Sequence, residues 1–394
     1  MPFVFASLLR LLPLTDSSEK KLVAFLLMGG LSLLSAAETI RPQLHFINGS
    51  AEAADIFWLE SPDKRIAKGS LKPGESTTIS TTLGHHFVLV GKDSAHEMKV
   101  ESLVLIQGAR FDPNAKDGIP AYYNQRKDVN EYPIVGSAAV NPYALEEAAF
   151  IVRKMLSERD DILTAMAQSG AHLCIFSLNE FTTELPEFAH LGNGKKEIIL
   201  GVDNKNYWDA RARGTGGSFT EPFCSCGEEN LLAFPGDPYA AESIMVHEFA
   251  HNVHLRGMAN LDPTFDDRLE KAYQEAMAKG LWKDKYAATN RFEYFAEGAQ
   301  SWFGNNREND HDHNHVNTRA ELIEYDPVLA NFCREVFGEN PFVYTKPETR
   351  LTGHLAGYDP ATAPTFEWPE RLLKAKAEIR RMAQEADKPK KKEK

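Results

Sequence analysis

The feature that most constrains this 394-residue chain is the segment His247-Glu248-Phe249-Ala250-His251. On an α-helix, residues four positions apart lie on one face, so both imidazoles can reach one metal ion. Glu248 lies about a quarter-turn away, where its carboxylate would contact a water molecule on the metal rather than the metal itself. The pattern predicts a zinc site. The alternative is a buried helix with two hydrogen-bonded histidines.

A catalytic zinc site uses three protein ligands and keeps a fourth position open, so a third ligand must come from elsewhere. A histidine six residues after the second is excluded, because that position holds Gly257. His254 shares the helical face of His247 and His251, but a straight helix cannot wrap three such side chains round one ion. We therefore expect His254 to line the cleft or to lie in the core.

A second helix, predicted over Asn290–Phe303, offers the missing carboxylate. Glu293 and Glu297 are four residues apart and therefore share a face. We expect Glu293 to complete the zinc site and Glu297 to accept the free N–H of a ligand histidine. The competing interpretation is that Glu293 caps its own helix, three residues after Asn290.

The two helices together resemble the catalytic domain of the anthrax lethal factor family. The resemblance rests on His-Glu-Phe-Ala-His and on the later segment Tyr286-Ala-Ala-Thr-Asn-Arg-Phe-Glu293. It implies a gluzincin-type peptidase that holds one Zn²⁺ with His247, His251 and Glu293. It also implies Glu248 as the general base and Tyr286 as the group that stabilises the oxyanion, a role that suits a phenolic hydrogen-bond donor.

A longer stretch, residues 130–368, resembles a branch of that family that includes fungal conidiation-induced proteins. The matching segments are Asn206-Tyr-Trp-Asp-Ala-Arg-Ala-Arg213-Gly, Cys226-Gly-Glu-Glu-Asn-Leu-Leu, Pro235-Gly-Asp-Pro-Tyr and Leu355-Ala-Gly-Tyr-Asp-Pro. The resemblance implies the same metallopeptidase class, and it brings no substrate with it.

The N-terminal part shows a different pattern, in which short apolar or alternating segments are separated by turn residues. Strands are predicted at residues 43–47, 54–59, 76–81, 86–90 and 99–106. These segments favour a small β-sandwich.

Residues 43–90 resemble the β domain of the von Hippel–Lindau tumour suppressor. The matching points are Trp58, Lys72-Pro73-Gly74 and Gly84-His85-His86-Phe87. That domain binds hydroxyproline in an aromatic pocket, but here Thr81, Lys68 and Phe87 replace a serine, a tyrosine and a tryptophan of the pocket. We therefore expect an accessory module that contacts protein substrate or has a structural role only.

From Asn141 onward the pattern changes to helix, and we predict an α+β protein with a mainly helical, zincin-like second domain. Helices are predicted at 144–157, 240–256, 263–279, 290–303 and 370–385, and strands at 173–177 and 197–202. The predicted domains are a signal peptide (1–37), the β-sandwich (38–107), a linker (108–133), the metallopeptidase domain (134–369), and a helix with a lysine-rich tail (370–394).

The N-terminus is typical of a signal peptide. Lys20 and Lys21 precede an apolar run, residues 22–34, and small residues up to Ala37 suit cleavage after that alanine. The run is shorter than a bilayer-spanning helix. We expect a secreted or periplasmic protein with no stable membrane span after cleavage, and the alternative is an uncleaved anchor or a buried helix.

An oxidising compartment permits disulfides between the four cysteines. Cys224 and Cys226 are too close in sequence to favour pairing with each other, so we expect cross-links to Cys174 or Cys333. A metal site on Cys-Ser-Cys is less favoured, because such sites more often have two intervening residues.

Three weaker signals concern the cleft. The segment from His311 to His315 favours a solvated loop, with His315 at the cleft mouth as the alternative. Gly214–Gly217 favours a flexible loop near the site. Asn230–Phe234 is a candidate sheet edge for an extended peptide, with Asn230, Leu231 and Leu232 as possible cleft residues.

The formal net charge of −12 argues against nucleic acid as a partner. Taken together, the patterns predict a secreted, one-zinc endopeptidase that acts on protein or peptide. The rival is a non-catalytic exported matrix or adhesion protein with a structural zinc site. Glu248 and Tyr286 argue against the rival, because a purely structural site needs neither.

Overall fold

The described residues contain both helices and sheets, so the predicted α+β class is confirmed at that level. The computed structural model describes residues 41–100, 106–192, 198–199, 202–219 and 221–386. The predicted signal peptide and the lysine-rich tail lie outside the described residues. None of the described helices is both long enough and apolar enough to cross a membrane.

Seven strands come first in the chain and form two sheets. They are β1 (Gln43–Asn48), β2 (Ala54–Ser61), β3 (Lys64–Leu71), β4 (Ser76–Ser80), β5 (His86–Val90), β6 (Ala95–Lys99) and β7 (Ile106–Phe111). One sheet has the order β4-β1-β7 and the other β3-β2-β5-β6. Because alternate residues point inward, Phe46, Ile56 and Leu89 from the two sheets join one buried apolar cluster.

The predictions for β1, β2, β4 and β5 are confirmed, with small differences at the ends. Most of the strand predicted over 99–106 lies outside the described residues, which omit 101–105; of the rest, Lys99 ends β6, Val100 is in no strand and Ile106 begins β7. Strand β3 and the body of β6 were not predicted. Both are edge strands with mostly exposed side chains, so they carry little of the hydrophobic alternation that marks a strand.

A five-stranded sheet with the order β13-β14-β10-β9-β8 follows. The later strands are β8 (Gln125–Val129), β9 (Tyr132–Gly136), β10 (His172–Phe176), β11 (Ile198–Ile199), β12 (Val202–Asp203), β13 (Gly214–Thr215) and β14 (Phe223–Gly227). The three central strands are parallel, and the two edge strands are antiparallel to their neighbours. Strands lie within the predicted linker, residues 108–133: β7 continues to Phe111, the polar segment Gln125–Val129 pairs as edge strand β8, and β9 begins at Tyr132.

Twelve α-helices occur in the described part. They are α1 (Pro142–Met155), α2 (Asp160–Gln168), α3 (Ala189–Gly192), α4 (Asn204–Arg211), α5 (Glu228–Leu231), α6 (Ile244–Asn252), α7 (Ala259–Leu261), α8 (Phe265–Ala278), α9 (Arg291–Trp302), α10 (Arg319–Tyr325), α11 (Pro327–Phe337) and α12 (Glu370–Ala386). The helix predicted over 240–256 starts later and continues beyond α6 as a π-helical segment, Val253–Met258. Such wider turns are frequent near functional sites.

All four cysteines are buried free thiols, so the predicted cross-links are wrong. Cys174 and Cys224 lie on neighbouring strands, but Cys224 is in register with Leu173. Because side chains alternate between the faces of a sheet, Cys174 points to the face opposite Cys224. The two sulfur atoms therefore cannot meet as a disulfide requires.

A fully buried ion pair lies close to the antiparallel edge of this sheet. Arg213 Nε is 2.5 Å from Glu229 Oε1, and both side chains are 0% exposed. The guanidinium packs against the rings of Phe176, Phe181 and Phe366. Since neither charge contacts water, each depends on the other for compensation.

We expect Glu229→Gln to lower the free energy of unfolding by about 3 kcal/mol or more, because it leaves the Arg213 charge buried without a counter-ion. Urea unfolding measures the change. Glu339→Gln is the matched control, since it breaks an exposed pair with Arg334 and should cost below about 1 kcal/mol. Equal losses in the two variants would contradict this account of the buried pair.

Candidate metal centre

Helix α6 carries the two histidines and is buried along its whole length. Its start is fixed by side chains: Ser243 accepts a hydrogen bond from Val246 N, and Asn230 accepts one from Ile244 N at 2.8 Å. Phe249 packs into the main apolar cluster. Capping and packing together fix the direction in which the imidazoles point.

Helix α9 packs directly against α6. The Asn290 side chain accepts hydrogen bonds from the backbone N–H groups of Phe292 and Glu293, at 2.8 and 3.0 Å. The cap is therefore formed by Asn290, and the Glu293 carboxylate turns to the imidazoles instead of capping. Phe295, on the opposite side of the helix, is fully buried in the core.

The three predicted ligands converge. Glu293 Oε2 lies 3.0 Å from His247 Nε2 and 3.2 Å from His251 Nε2, and the two nitrogens are 3.2 Å apart. Three atoms at such separations leave a point roughly 2.0 Å from each of them, which matches Zn–N and Zn–O bond lengths. Glu248 also has a carboxylate oxygen within 4.8 Å of both histidines, close enough to reach a water molecule beside them.

The charges around this point favour a cation. Burial alone would lower the pKa of His247, but the hydrogen bond to Glu293 and the charges of Glu248, Glu293 and Glu297 raise it well above its ordinary value. Burial alone would raise the pKa of Glu293, but the two imidazoles hold it well below its usual range. The group therefore attracts positive charge, and the nitrogen and carboxylate donors suit Zn²⁺.

Glu248 and Tyr286 each have a pKa above the ordinary value of the group. Burial raises the pKa of Glu248, and the imidazole charges limit that rise, which makes the carboxylate a stronger base than usual. The Tyr286 ring lies 6.1 Å from the His247 ring. Burial and then the Glu293 charge raise the pKa of Tyr286, so its hydroxyl stays protonated and can donate. Tyr286 is 36% exposed, against 6% for His247, so it is the group open to an incoming molecule.

The residue that orients His247 is Gln300, which the sequence analysis missed. His247 Nδ1 lies 2.8 Å from Gln300 Oε1 but 3.6 Å from Glu297 Oε1, so the role predicted for Glu297 belongs to Gln300. Gln300 Nε2 in turn donates to Glu242 Oε2 at 3.0 Å. Gln300 is seven residues after Glu293 and therefore on the same helical face, which is the signal that could have identified it.

Glu297 instead connects helix α9 to the loop that follows it. Its Oε2 accepts a hydrogen bond from Asn306 at 2.9 Å and lies 3.3 Å from His313 Nε2. His313 is thus the histidine of the 311–315 segment that reaches the site. His315 is exposed and packs against Tyr325, as the solvated loop predicted for this segment requires, and its place at the cleft mouth stays a prediction.

His254 is a core histidine and does not line the cleft. It is fully buried, its Nε2 lies 3.0 Å from Asp266 Oδ1, and the rings of Phe265, Phe292 and Phe295 surround it. Burial lowers its pKa, so the ring remains neutral. Of the two alternatives given for His254, the core is confirmed.

Asn230, Leu231 and Leu232 do not form a sheet edge. Asn230 and Leu231 belong to the short helix α5, and all three residues are buried. The Asn230 amide donates to Asp237 and to the backbone carbonyls of Tyr239 and Glu242. Its role is to hold the start of α6, and the predicted cleft assignment of these three residues is wrong.

The sheet edge beside the metal group is β13, within the glycine-rich segment that was predicted as a loop. A Cβ atom on Gly214 would lie 2.9 Å from Glu248 Cγ, and one on Gly216 would lie 2.3 Å from His251 Cδ2. Only glycine permits this close approach of the chain to α6. The edge strand and the metal-binding helix are therefore in direct contact.

A second group of potential ligands, His172, Cys174 and Glu187, is also buried. Its carboxylate already has partners, because His172 Nε2 lies 3.0 Å from Glu187 Oε1 and the Tyr123 hydroxyl donates to Oε2 at 2.5 Å. These contacts are those of a satisfied hydrogen-bond network in the core.

No protein-family model matches this chain, and no curated protein matches it either. The resemblance to the lethal factor family therefore stays a prediction from sequence motifs.

We expect Gly216→Ala to weaken zinc binding strongly, because the new methyl group would displace the His251 ring. Zinc affinity measured by competition with a chromogenic chelator tests this. Gly49→Ala is a matched control, since its Cβ would also lie 2.3 Å from a neighbour, but that neighbour is the movable end of Arg110. Unchanged zinc affinity in folded Gly216→Ala would contradict the position given to His251.

We expect Gln300→Leu to lower zinc affinity by about 10- to 100-fold, because His247 loses the acceptor that fixes its orientation. The same chelator competition measures the change. Gln274→Leu alters an exposed glutamine on α8 that bonds only to Glu270 among the described residues, and should have no effect. Equal zinc affinities for the Gln300→Leu variant and the unaltered protein would contradict the role given to Gln300 in orienting His247.

Proposed function

We propose that this protein is a zinc-dependent endopeptidase, with His247, His251 and Glu293 as metal ligands. The observation that carries the proposal is the convergence of three ligand atoms within 3.2 Å of one another, with the Glu248 carboxylate alongside. A buried group with two imidazoles and a carboxylate on neighbouring helices matches the ligand set of catalytic zinc sites.

When bound, Zn²⁺ supplies Lewis acidity that polarises a carbonyl oxygen and lowers the pKa of a water molecule. Glu248 accepts the proton of the attacking water on its carboxylate and delivers it to the departing amine. The Tyr286 hydroxyl donates a hydrogen bond to the carbonyl oxygen as negative charge develops on it. Gln300 holds His247 in one tautomer throughout, with Nδ1–H directed to its amide oxygen.

The proposed substrate is an extended peptide that pairs with the free side of β13. This strand forms the outer edge of the five-stranded sheet, and Gly214 lies against Glu248. Backbone pairing along a sheet edge positions a peptide with little dependence on its side chains. The scissile bond would then lie between Glu248 and Tyr286.

The finer features of the fold and location belong to the same proposal. We assign the part that holds the metal group to a zincin-like, gluzincin-type fold of the lethal factor family. We assign the first seven strands to a β-sandwich that supports it. The predicted signal sequence makes the protein secreted or periplasmic in this proposal.

The decisive variant is Glu248→Gln, which should keep zinc bound and reduce peptide cleavage to background. The amide keeps the size of the side chain but cannot accept the proton. A peptide-library digest, read by mass spectrometry with and without a zinc chelator, measures cleavage, and metal analysis measures zinc. Glu339→Gln is the control for the substitution type. Cleavage by the Glu248→Gln variant would exclude Glu248 as the general base. No cleavage of any peptide by the unaltered protein would favour the non-catalytic rival.

Tyr286→Phe should lower kcat by about 10- to 1000-fold with little change in KM, because the lost hydrogen bond forms only as the oxyanion develops. Steady-state kinetics on a cleaved peptide measure both constants. Tyr325→Phe, which removes a hydroxyl that accepts a bond from Trp282 N, serves as the control. A rise in KM with unchanged kcat would show that Tyr286 binds substrate without acting on the transition state.

A further inference from the structure

Arg211 is an exposed cation three residues before Gly214, the residue that contacts Glu248, and the mechanism does not use it. It is the last residue of α4, and its guanidinium lies over the Trp208 ring, 5.3 Å from the ring centre. No hydrogen bond or ion pair joins Arg211 to another residue within the described ranges. Arg213, two residues later, is by contrast fully buried and paired with Glu229.

The chain places Arg211 at the approach to the metal centre. Only two residues separate it from β13, whose first residue, Gly214, contacts Glu248. Arg211 therefore lies where the chain enters the strand proposed to pair with the substrate, within reach of one end of a peptide bound along β13.

The chemistry of a free guanidinium suits a carboxylate. Its planar fork can donate two parallel hydrogen bonds to the two oxygens of a carboxylate. A neutral amide has only one oxygen and no charge, so it binds the guanidinium less strongly. Stacking on Trp208 holds the planar head in a fixed orientation, so less side-chain freedom is lost on binding. In a chain with a net charge of −12, a cation without an acidic partner at this place is available for an external anion.

We propose that Arg211 is a specificity-determining residue that binds a carboxylate of the peptide substrate close to the scissile bond. This inference rests on the proposed peptidase function. The carboxylate belongs either to an aspartate or glutamate side chain or to the C-terminus of the peptide. The protein would therefore favour acidic peptides over otherwise identical neutral ones.

The test compares a peptide that the protein cleaves with matched versions of it. One set exchanges each acidic residue for its amide, and the other replaces the free C-terminus by an amide. Each is assayed with the unaltered protein and with Arg211→Gln, Arg211→Lys and the surface control Arg334→Gln. The unaltered protein should prefer the acidic version by about five- to tenfold in kcat/KM, the range expected for a partly exposed, bidentate ion pair.

Arg211→Gln should remove this preference by slowing cleavage of the acidic peptide while leaving that of the neutral peptide unchanged. Arg211→Lys should retain part of the preference, and Arg334→Gln all of it. Equal rates on acidic and neutral peptides with the unaltered protein would overturn the inference, as would an equal loss on all peptides in Arg211→Gln. Either result leaves the peptidase proposal intact. Absence of all cleavage by the unaltered protein would contradict both the peptidase proposal and the role of Arg211.

Peptide binding to the Glu248→Gln variant, measured by fluorescence anisotropy, gives a readout that does not depend on turnover. The acidic peptide should bind more tightly than its amide counterpart. Introducing Arg211→Gln into the Glu248→Gln variant should abolish this difference in affinity. A difference that persists in the double variant would assign the carboxylate to another residue.

Discussion

The packing of α9 against α6 is the contact on which the metal centre depends. A carboxylate and two imidazoles removed from water are costly to hold together unless they are paired with one another or with a cation. Here the apolar sides of the two helices, including Phe249 and Phe295, are buried in one core. Their burial supplies the free energy that keeps the three polar groups at 3.0–3.2 Å.

Around this contact, the neighbouring elements each fix one property of the site. The sheet edge approaches so closely that glycine is required at positions 214 and 216. Behind the ligands, Gln300 joins His247 to Glu242, and Arg307 joins Glu242 to the following loop. A chain of polar contacts thus connects His247 to the loop after α9, which contains none of the three ligands.

The features that could be predicted from the sequence are those that depend on short-range periodicity, such as which residues share a helical face. The spacing of His247 and His251 placed both imidazoles on one helical face, because each face follows directly from residue number. Spacing alone left Glu293 as either a ligand or a helix cap, and the resemblance to the lethal factor family favoured the ligand. The sequence did not identify Gln300 or His313, whose roles depend on how the helices and the next loop pack. Polar edge strands such as β8 escaped prediction because they bury few side chains. The disulfides were wrong because sequence spacing does not show which sheet face a cysteine occupies.

Anomalous diffraction at the zinc absorption edge, from crystals of the full chain grown with zinc, tests the central claim most directly. The account predicts one strong peak about 2 Å from His247 Nε2, His251 Nε2 and a Glu293 carboxylate oxygen. A map without a peak at that position, or with Glu293 turned away from both imidazoles, would contradict it.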